Sequence, residues 1–208
     1  MNTPVSDAPF SRRGRKKERT RREIYDAAMK LFTARGYAAV TIDEICEQAD
    51  VGRSTFFLHF PAKASLMQEF NLQVAADFAD RLAHGRRGSA RDELTALIDD
   101  ISARIAAQPE VMLGMVREFF AIPEAVVQAH QDGGGLEPLI ESLVRRGQER
   151  GEFTVRVHPR LAAVSLLATA GSIMNGRVFK GREVPVAEVR RQMLALTFGG
   201  LGARVAGS

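Results

Sequence analysis

The chain has 208 residues, of which 45% are hydrophobic and 26% charged, with a formal net charge of +4 and one cysteine. This length holds one large or two small domains, and the apolar share supports a sizeable buried core. Cys46 has no partner for a disulfide within the chain, which suits a reducing, cytoplasmic setting. No N-terminal stretch has the charged-then-apolar layout of a signal peptide. The longest uncharged helical stretch, residues 161–176, is short for a membrane span and carries Ser165, Thr169, Ser172 and Asn175, so a buried helix is expected and no membrane partner.

The positive charge is local. Residues 11–22, SRRGRKKERTRR, hold eight basic side chains against Glu18, whereas residues 66–208 carry 17 groups of each sign. Such a run attracts polyanions by non-specific phosphate contacts, with Arg15, Lys16 and Lys17 at its centre. A solvated tail has the same composition, and the run alone does not separate the two readings. Residues 1–11, with Pro4, Pro9, Ser6 and Ser11, have too little apolar content to order themselves, so 1–19 are expected to be a flexible basic arm.

From Thr20 a helical pattern begins. Ile24, Ala27, Ala28, Leu31 and Phe32 fall on one stripe, and Gly36 follows Arg35 as a C-terminal stop. Thr41 with Glu44 three residues on is the spacing of a capping box, opening a second helix with Ile42, Ile45, Cys46 and Ala49 on its apolar face. Asp50-Val51-Gly52 interrupts it, a third short helix runs from about Arg53 to Phe60, and Pro61 ends that one. Leu66, Phe70, Val74 and Phe78 at steps of four predict a long fourth helix over 63–82.

The remainder also reads as helices. Leu94, Leu97, Ile98, Ile101 and Ile105 form one stripe before Pro109; Val111 to Phe120 form another. Pro123 and Gly133 to Gly135 break the next segment. Leu136 to Arg150 is helical up to Gly151, and Phe153, Val155 and Val157 alternate in what is expected to be an extended connector rather than a strand. Pro159 suits a helix first turn, with a helix to about Phe179 and a last one over 186–204. The fold class is all-α with about nine helices: a helix-turn-helix domain over 20–65 and a second helical domain over 66–208.

Two short helices joined by a three-residue turn have helix-turn-helix geometry. In such a unit the second helix enters the major groove with its first residues toward the base edges. Here those are Arg53, Ser54 and Thr55. Arg pairs bidentately with guanine, Ser and Thr donate or accept, and the Thr methyl packs on thymine.

The stretch AAMKLFTARGYAAVTIDEICEQADVGRSTFFLHFPAKASL, residues 27–66, resembles the DNA-binding domain of the TetR family. The matching positions are Ala28, Leu31, Phe32, Gly36, Thr41, Ile45, Ala49, Val51, Thr55, His59, Phe60, Lys63 and Leu66. The resemblance implies further roles. Thr41 would cap its helix while touching a phosphate, Phe57 and Leu58 would meet the backbone or thymine methyls, and His59 and Lys63 would bind phosphates. The sequence departs from the family pattern at three positions. Phe57 stands for the usual Tyr, whose hydroxyl bonds a phosphate. Asp50 stands for a turn Gly, and Gly52 for the usual Ser, weakening a helix cap by about a few tenths of a kcal/mol.

The resemblance also implies a homodimer through helices over about 160–179 and 186–204, bound to double-stranded operator DNA, and a small-molecule effector between the helices of the second domain. Small residues Ala162, Ala163, Ala168, Ala170 and Gly171 on the first of these helices would allow close approach, and Val189, Met193, Leu196 and Leu201 on the second would pack against it. Met112, Met115, Val116, Phe119, Phe120, Ile173 and Met174, with Asn175 as a polar handle, are the candidate effector-binding residues; the plain alternative for each is ordinary core. Their character suits an apolar or aromatic ligand. Ligand would favour a state unfit for the operator, the fourth helix transmitting the change from Lys63 at its DNA end.

No convergent acid, base or nucleophile suggests an enzyme, and no cofactor is expected. His84, His130 and His158 have no metal-ligand spacing, Cys46 reads as core, and Gly133 to Gly135 lacks the strand and Lys of a phosphate loop. The sequence therefore reads as a cytoplasmic transcriptional regulator, a repressor released by its ligand. The alternatives are a regulator without a ligand, or a non-specific nucleic-acid-binding protein using the basic arm.

Overall fold

The computed structural model describes residues 12–85, 88–122, 134–175 and 184–201; the expectations for residues 1–11, Pro123 and the connector at Gly133 lie outside them. Nine α-helices and no strand occur among the described residues: α1 (Arg12–Arg35), α2 (Ile42–Gln48), α3 (Arg53–His59), α4 (Leu66–His84), α5 (Ala90–Ala107), α6 (Pro109–Ala121), α7 (Leu136–Glu149), α8 (Pro159–Met174) and α9 (Val186–Leu201). The chain divides into two units, Met1–Lys63 and Ala64–Ser208. None of the described helices is long and apolar enough to cross a membrane.

The first unit packs α1, α2 and α3 around Ile24, Phe32, Ile45, Phe56 and Phe60, all fully buried. Phe32 meets Tyr37 edge-on at 4.8 Å between centroids, and Phe56 lies 5.7 Å from Phe60. These rings come from α1, α3 and the turns that follow them, and Ile45 is the α2 side chain fully buried in the same unit. Gly36 terminates α1 at φ +82°, donating its N–H to Phe32 O at 2.8 Å, as its position after Arg35 predicts.

Three boundaries differ from the sequence reading, one being that α8 closes at Met174 with its cap at Asn175 rather than near Phe179. α1 begins at Arg12 rather than Thr20. Apolar periodicity starts only at Thr20, but Arg, Lys and Glu are strong helix formers in their own right, and Arg19 pairs with Glu23 one turn on at 3.4 Å. The basic run is thus helical from Arg12 onward. Lys63 is not in the fourth helix: a short 3-10 turn over Lys63–Ser65 precedes α4.

The second unit buries Leu94 and Leu97 of α5, Met112 and Met115 of α6, Leu143 and Val144 of α7 and Ala163 of α8. Ile173, Val189 and Met193 form a further cluster where α8 meets α9. The close approach of α8 to α6 depends on Gly171, because a Cβ built there would overlap the Phe120 ring. Residues 153–157 form bends and a turn rather than the extended connector expected, though no strand. Gln148 Nε2 donates to Thr154 O at 2.8 Å and Val157 O at 2.7 Å, turning Phe153 inward while Val155 stays exposed.

Candidate nucleic-acid interface and ligand cavity

The turn between α2 and α3 is built by a non-glycine residue. Asp50 takes φ +53°, donating its N–H to Glu47 O at 3.2 Å, while Val51 N–H reaches Cys46 O at 3.0 Å. This pair of bonds is a Schellman closure, and a short Asp side chain bears the left-handed conformation better than most. Gly52 then caps α3 with its backbone alone (φ −75°, ψ 155°), with no side-chain bond to the helix.

α3 is two-faced. Arg53, Ser54, Phe57 and Leu58 are exposed, whereas Phe56 and His59 point into the core. Steps of three and four place the exposed set on one side. Leu58 is 73% exposed, an unusual place for a leucine unless another surface covers it. Thr55 is half-buried. His59, only 7% exposed, belongs to the packed side of the helix, and its carbonyl accepts Arg21 Nη1 at 2.8 Å. Little of the His59 side chain is therefore open to the phosphate contact expected of it.

Arg53 is held from two sides. Its guanidinium donates to Asp43 of α2 and lies 5.7 Å from the Phe57 ring centroid. Phe57, which lacks the hydroxyl of the family's usual Tyr, is thus a platform for the arginine one turn before it. Asp43 carries no signal in the sequence; its spacing of ten residues from Arg53 becomes a contact only through the α2–α3 turn.

Thr41 closes a full capping box. Its backbone N–H donates to Glu44 Oε2 at 2.8 Å, and its hydroxyl accepts Glu44 N–H at 3.3 Å. The hydroxyl also donates to Glu44 Oε2 at 2.9 Å. The Thr41 backbone N–H, with Arg35 and the Thr41 hydroxyl behind it, holds the Glu44 carboxyl down to about 2. The cap is therefore worth most above the ordinary carboxylate value of 4.5 and fades as pH falls toward about 2. Glu44→Gln is expected to lower stability at pH 6, with the difference from the parent shrinking steadily as pH falls from 4.5 toward about 2. Urea unfolding of both proteins across that range tests it, and a pH-independent difference would overturn the assignment.

Lys63 Nζ donates to Tyr37 O and Val40 O, both at 3.1 Å, and sits 4.2 Å from the Tyr37 ring centroid. Two of its three donors thus brace the turn between α1 and α2, leaving one for an external anion. Arg15, Lys16 and Lys17 are exposed along α1. Cys46 is buried, and its surroundings push the thiol up, burial first and Asp43 second.

Two adjoining cavities lie in the second unit. The larger, of about 170 Å³, is walled by α4, α5, α6, α7 and α8, and the smaller, of about 80 Å³, reaches α9. Ile101, Ile105, Leu167, Ala170 and Met174 face both. Of the expected effector residues, Val116, Phe119, Phe120 and Met174 line the larger cavity. The other four line neither and are corrected to core or helix end. Met112 and Met115 are turned into the α6 core, Ile173 packs on Val189 and Met193, and Asn175 closes α8 with its N–H on Gly171 O. Gln68, Asn71 and the α5 isoleucines were not anticipated, because periodicity marks an apolar stripe without saying which part of it stays unfilled.

The small residues of α8 are also redistributed. Ala162, Ala163 and Gly171 are buried and Ala170 is partly so, whereas Ala168 is exposed; Val189 and Met193 of α9 are buried as well. Leu161 (60%) and Leu196 (52%) are the large apolar side chains these two helices present outward. Leu201 lies where side chains are not described. Among the described residues no group of His, Cys, Asp and Glu could hold a metal ion.

A helix-turn-helix unit followed by an all-helical second unit defines a class, and comparison narrows it. Residues 24–70 match the family described as "Bacterial regulatory proteins, tetR family". A relative from Pseudomonas putida, the "Probable HTH-type transcriptional regulator ArpR", is 36% identical over 170 residues, covering 73% of this chain and 76% of its own. The chain belongs to the TetR family. The first curated relatives it matches are also transcriptional regulators, matched over less than half of their own length. Among solved structures, the Thermus thermophilus FadR, a TetR family transcriptional repressor in complex with lauroyl-CoA, aligns with a TM-score of 0.68 at 24% identity, covering 90% of this chain and 98% of that one. RolR in complex with resorcinol aligns at 0.64 and 19% identity, covering 91% of each chain. Both likenesses are of fold.

Proposed function

We propose that this protein is a sequence-specific DNA-binding transcriptional repressor, acting in the cytoplasm as a homodimer and released from a palindromic operator by a small molecule. The observation that carries this reading is the exposed face of α3. Arg53 and Ser54 supply base-reading chemistry, Leu58 and Phe57 supply apolar surface for thymine methyls, and the exposed Arg15, Lys16 and Lys17 supply phosphate attraction. Thr55 is the third reader of bases, with Thr41 and the remaining donor of Lys63 on the backbone. Leu161, Ala168 and Leu196 make the outward face of α8 and α9, which a second copy would cover. The ligand would occupy the cavities of the second unit. By favouring one of two conformations it would change the fraction of protein competent for DNA.

Selection of bound duplexes from a random pool by the full-length protein tests the reading. The expected product is a two-fold symmetric site whose half-sites lie about 34–36 Å apart, or a multiple of that, centre to centre. A pool that stays random after selection overturns it. That outcome favours the second reading, a non-specific nucleic-acid-binding protein using the exposed basic residues of α1, which predicts salt-dependent but sequence-blind affinity.

A further inference from the structure

This inference rests on the reading of the second unit as a ligand-binding unit, and it names the chemistry the ligand must carry. Gln68 stands on α4 in the wall of the larger cavity. It is 6% exposed, and its Nε2 has no hydrogen-bond partner among the described residues. Buried side-chain amides are almost always paired, because an unpaired one forfeits its water without recompense. Asn71, three residues on and half-buried, lines the same wall.

The rest of the lining limits the charge of an occupant. Glu137 is the carboxylate in the larger cavity's wall, and it is engaged by Arg160, whose Nε lies 2.9 Å from Glu137 Oε1. No described residue lining that cavity is Lys, Arg or His. A carboxylate or phosphate placed there would lose its hydration with no unpaired cation in the described lining to replace it. The smaller cavity, beyond the shared wall of Ile101, Leu167 and Met174, is apolar except for Ser102 and Arg190. Arg190 already donates to Asp99 Oδ1 at 2.6 Å.

We infer that the two cavities together take one neutral, elongated molecule with an apolar body and a single carbonyl-type acceptor, such as a ketone, ester or amide. The Gln68 amide, whose Nε2 is enclosed in the empty protein, turns its N–H onto the acceptor, and the body runs past Met174 toward α9. Binding supplies the partner that Gln68 lacks in the empty protein, so the same residue that weakens the free state strengthens the complex.

Titration calorimetry on the full-length protein, without DNA, tests this with two probes of similar length, 2-nonanone and octanoate at pH 8. The ketone is expected to bind about tenfold or more tightly than the anion. Gln68→Leu, and Gln68→Met as a closer match in shape, are expected to weaken the ketone about five- to tenfold, the loss of one neutral hydrogen bond. Both variants are expected to raise the melting temperature of the ligand-free protein, because an unpaired amide is replaced by apolar atoms. Octanoate binding as tightly as the ketone, ketone affinity unchanged in both variants, or no heat from either probe overturns the inference. Duplex selection reads the other proposal separately. A protein that selects a duplex but binds no ketone sinks this inference alone, and one that binds the ketone but selects no duplex sinks the regulator reading alone.

Discussion

Arg53→Ala is expected to cost about 1–3 kcal/mol of binding free energy on the selected duplex and to relax base preference at one position of each half-site. Three observations lead there. Arg53 opens α3, where a recognition helix first meets the base edges. Its side chain is 61% exposed, and the Asp43 carboxyl that holds it is 64% exposed. A pair so open to solvent is worth about 0–1 kcal/mol, so the guanidinium can leave Asp43 for a guanine at small cost. The Phe57 ring under it restricts where it swings. Asp43→Ala separates holding from reading: it should raise affinity at low salt, by removing an anion from a surface that faces phosphates, while leaving the preferred base unchanged. Binding isotherms on the selected duplex and on single-base variants measure both effects. If Arg53→Ala changes neither affinity nor preference, α3 is not the reading helix.

The second large effect lies in the second unit. Glu93 of α5 is 5% exposed and receives a charge-assisted hydrogen bond from Arg146 of α7, whose side chain is 22% exposed. Removing one member of a buried pair strands the other charge, and Glu93→Ala is expected to destabilise the protein by about 3–5 kcal/mol. The pair is incompletely satisfied, since Glu93 Oε1 and Arg146 Nε find no partner among the described residues. This places the cost toward the lower part of that range. The double variant Glu93→Leu with Arg146→Met removes both charges and fills the space, and it should recover most of the loss. Equilibrium urea unfolding with a double-mutant cycle measures the coupling. A single-variant cost below about 1 kcal/mol would show that the pair is screened by water rather than buried.

Much of the first unit is legible in the sequence because its signals are local. The capping box at Thr41 and Glu44, the stop at Gly36 and the turn at Asp50 each follow from residues within three or four positions of one another. The resemblance over residues 27–66 adds the roles that local rules cannot supply. What escaped was direction and depth. His59 has the chemistry of a phosphate ligand, but the rotation of a seven-residue helix decides how far its ring meets water, and here the residue is only 7% exposed. Lys63 has the charge for a phosphate, yet two of its donors serve the turn at Tyr37 and Val40. Arg53 and Phe57 could be paired from their spacing of four, whereas Asp43 could not.

In the second unit, periodicity marks the helices but not their partners. Val189 and Met193 looked like dimer contacts because an apolar stripe has no label for inside or outside a protomer. Gln68 passed unnoticed for the converse reason. A glutamine beside Met67 and Phe70 reads as the polar edge of a helix, and only packing reveals that its amide is enclosed without a partner. The cavities themselves are differences between the volume the helices enclose and the volume the side chains fill, a quantity that no single segment carries.

Those unfilled spaces have a mechanical consequence. Voids present in the folded second unit vanish when its helices separate, so unfolding shrinks the protein-water system. The decrease for proteins of this kind is on the order of 20–100 mL/mol. Hydrostatic pressure therefore pushes this unit toward the unfolded state without any chemical denaturant. A molecule lodged against Gln68 and Met174 removes that volume difference along with the void, so the occupied protein is the less compressible of the two forms.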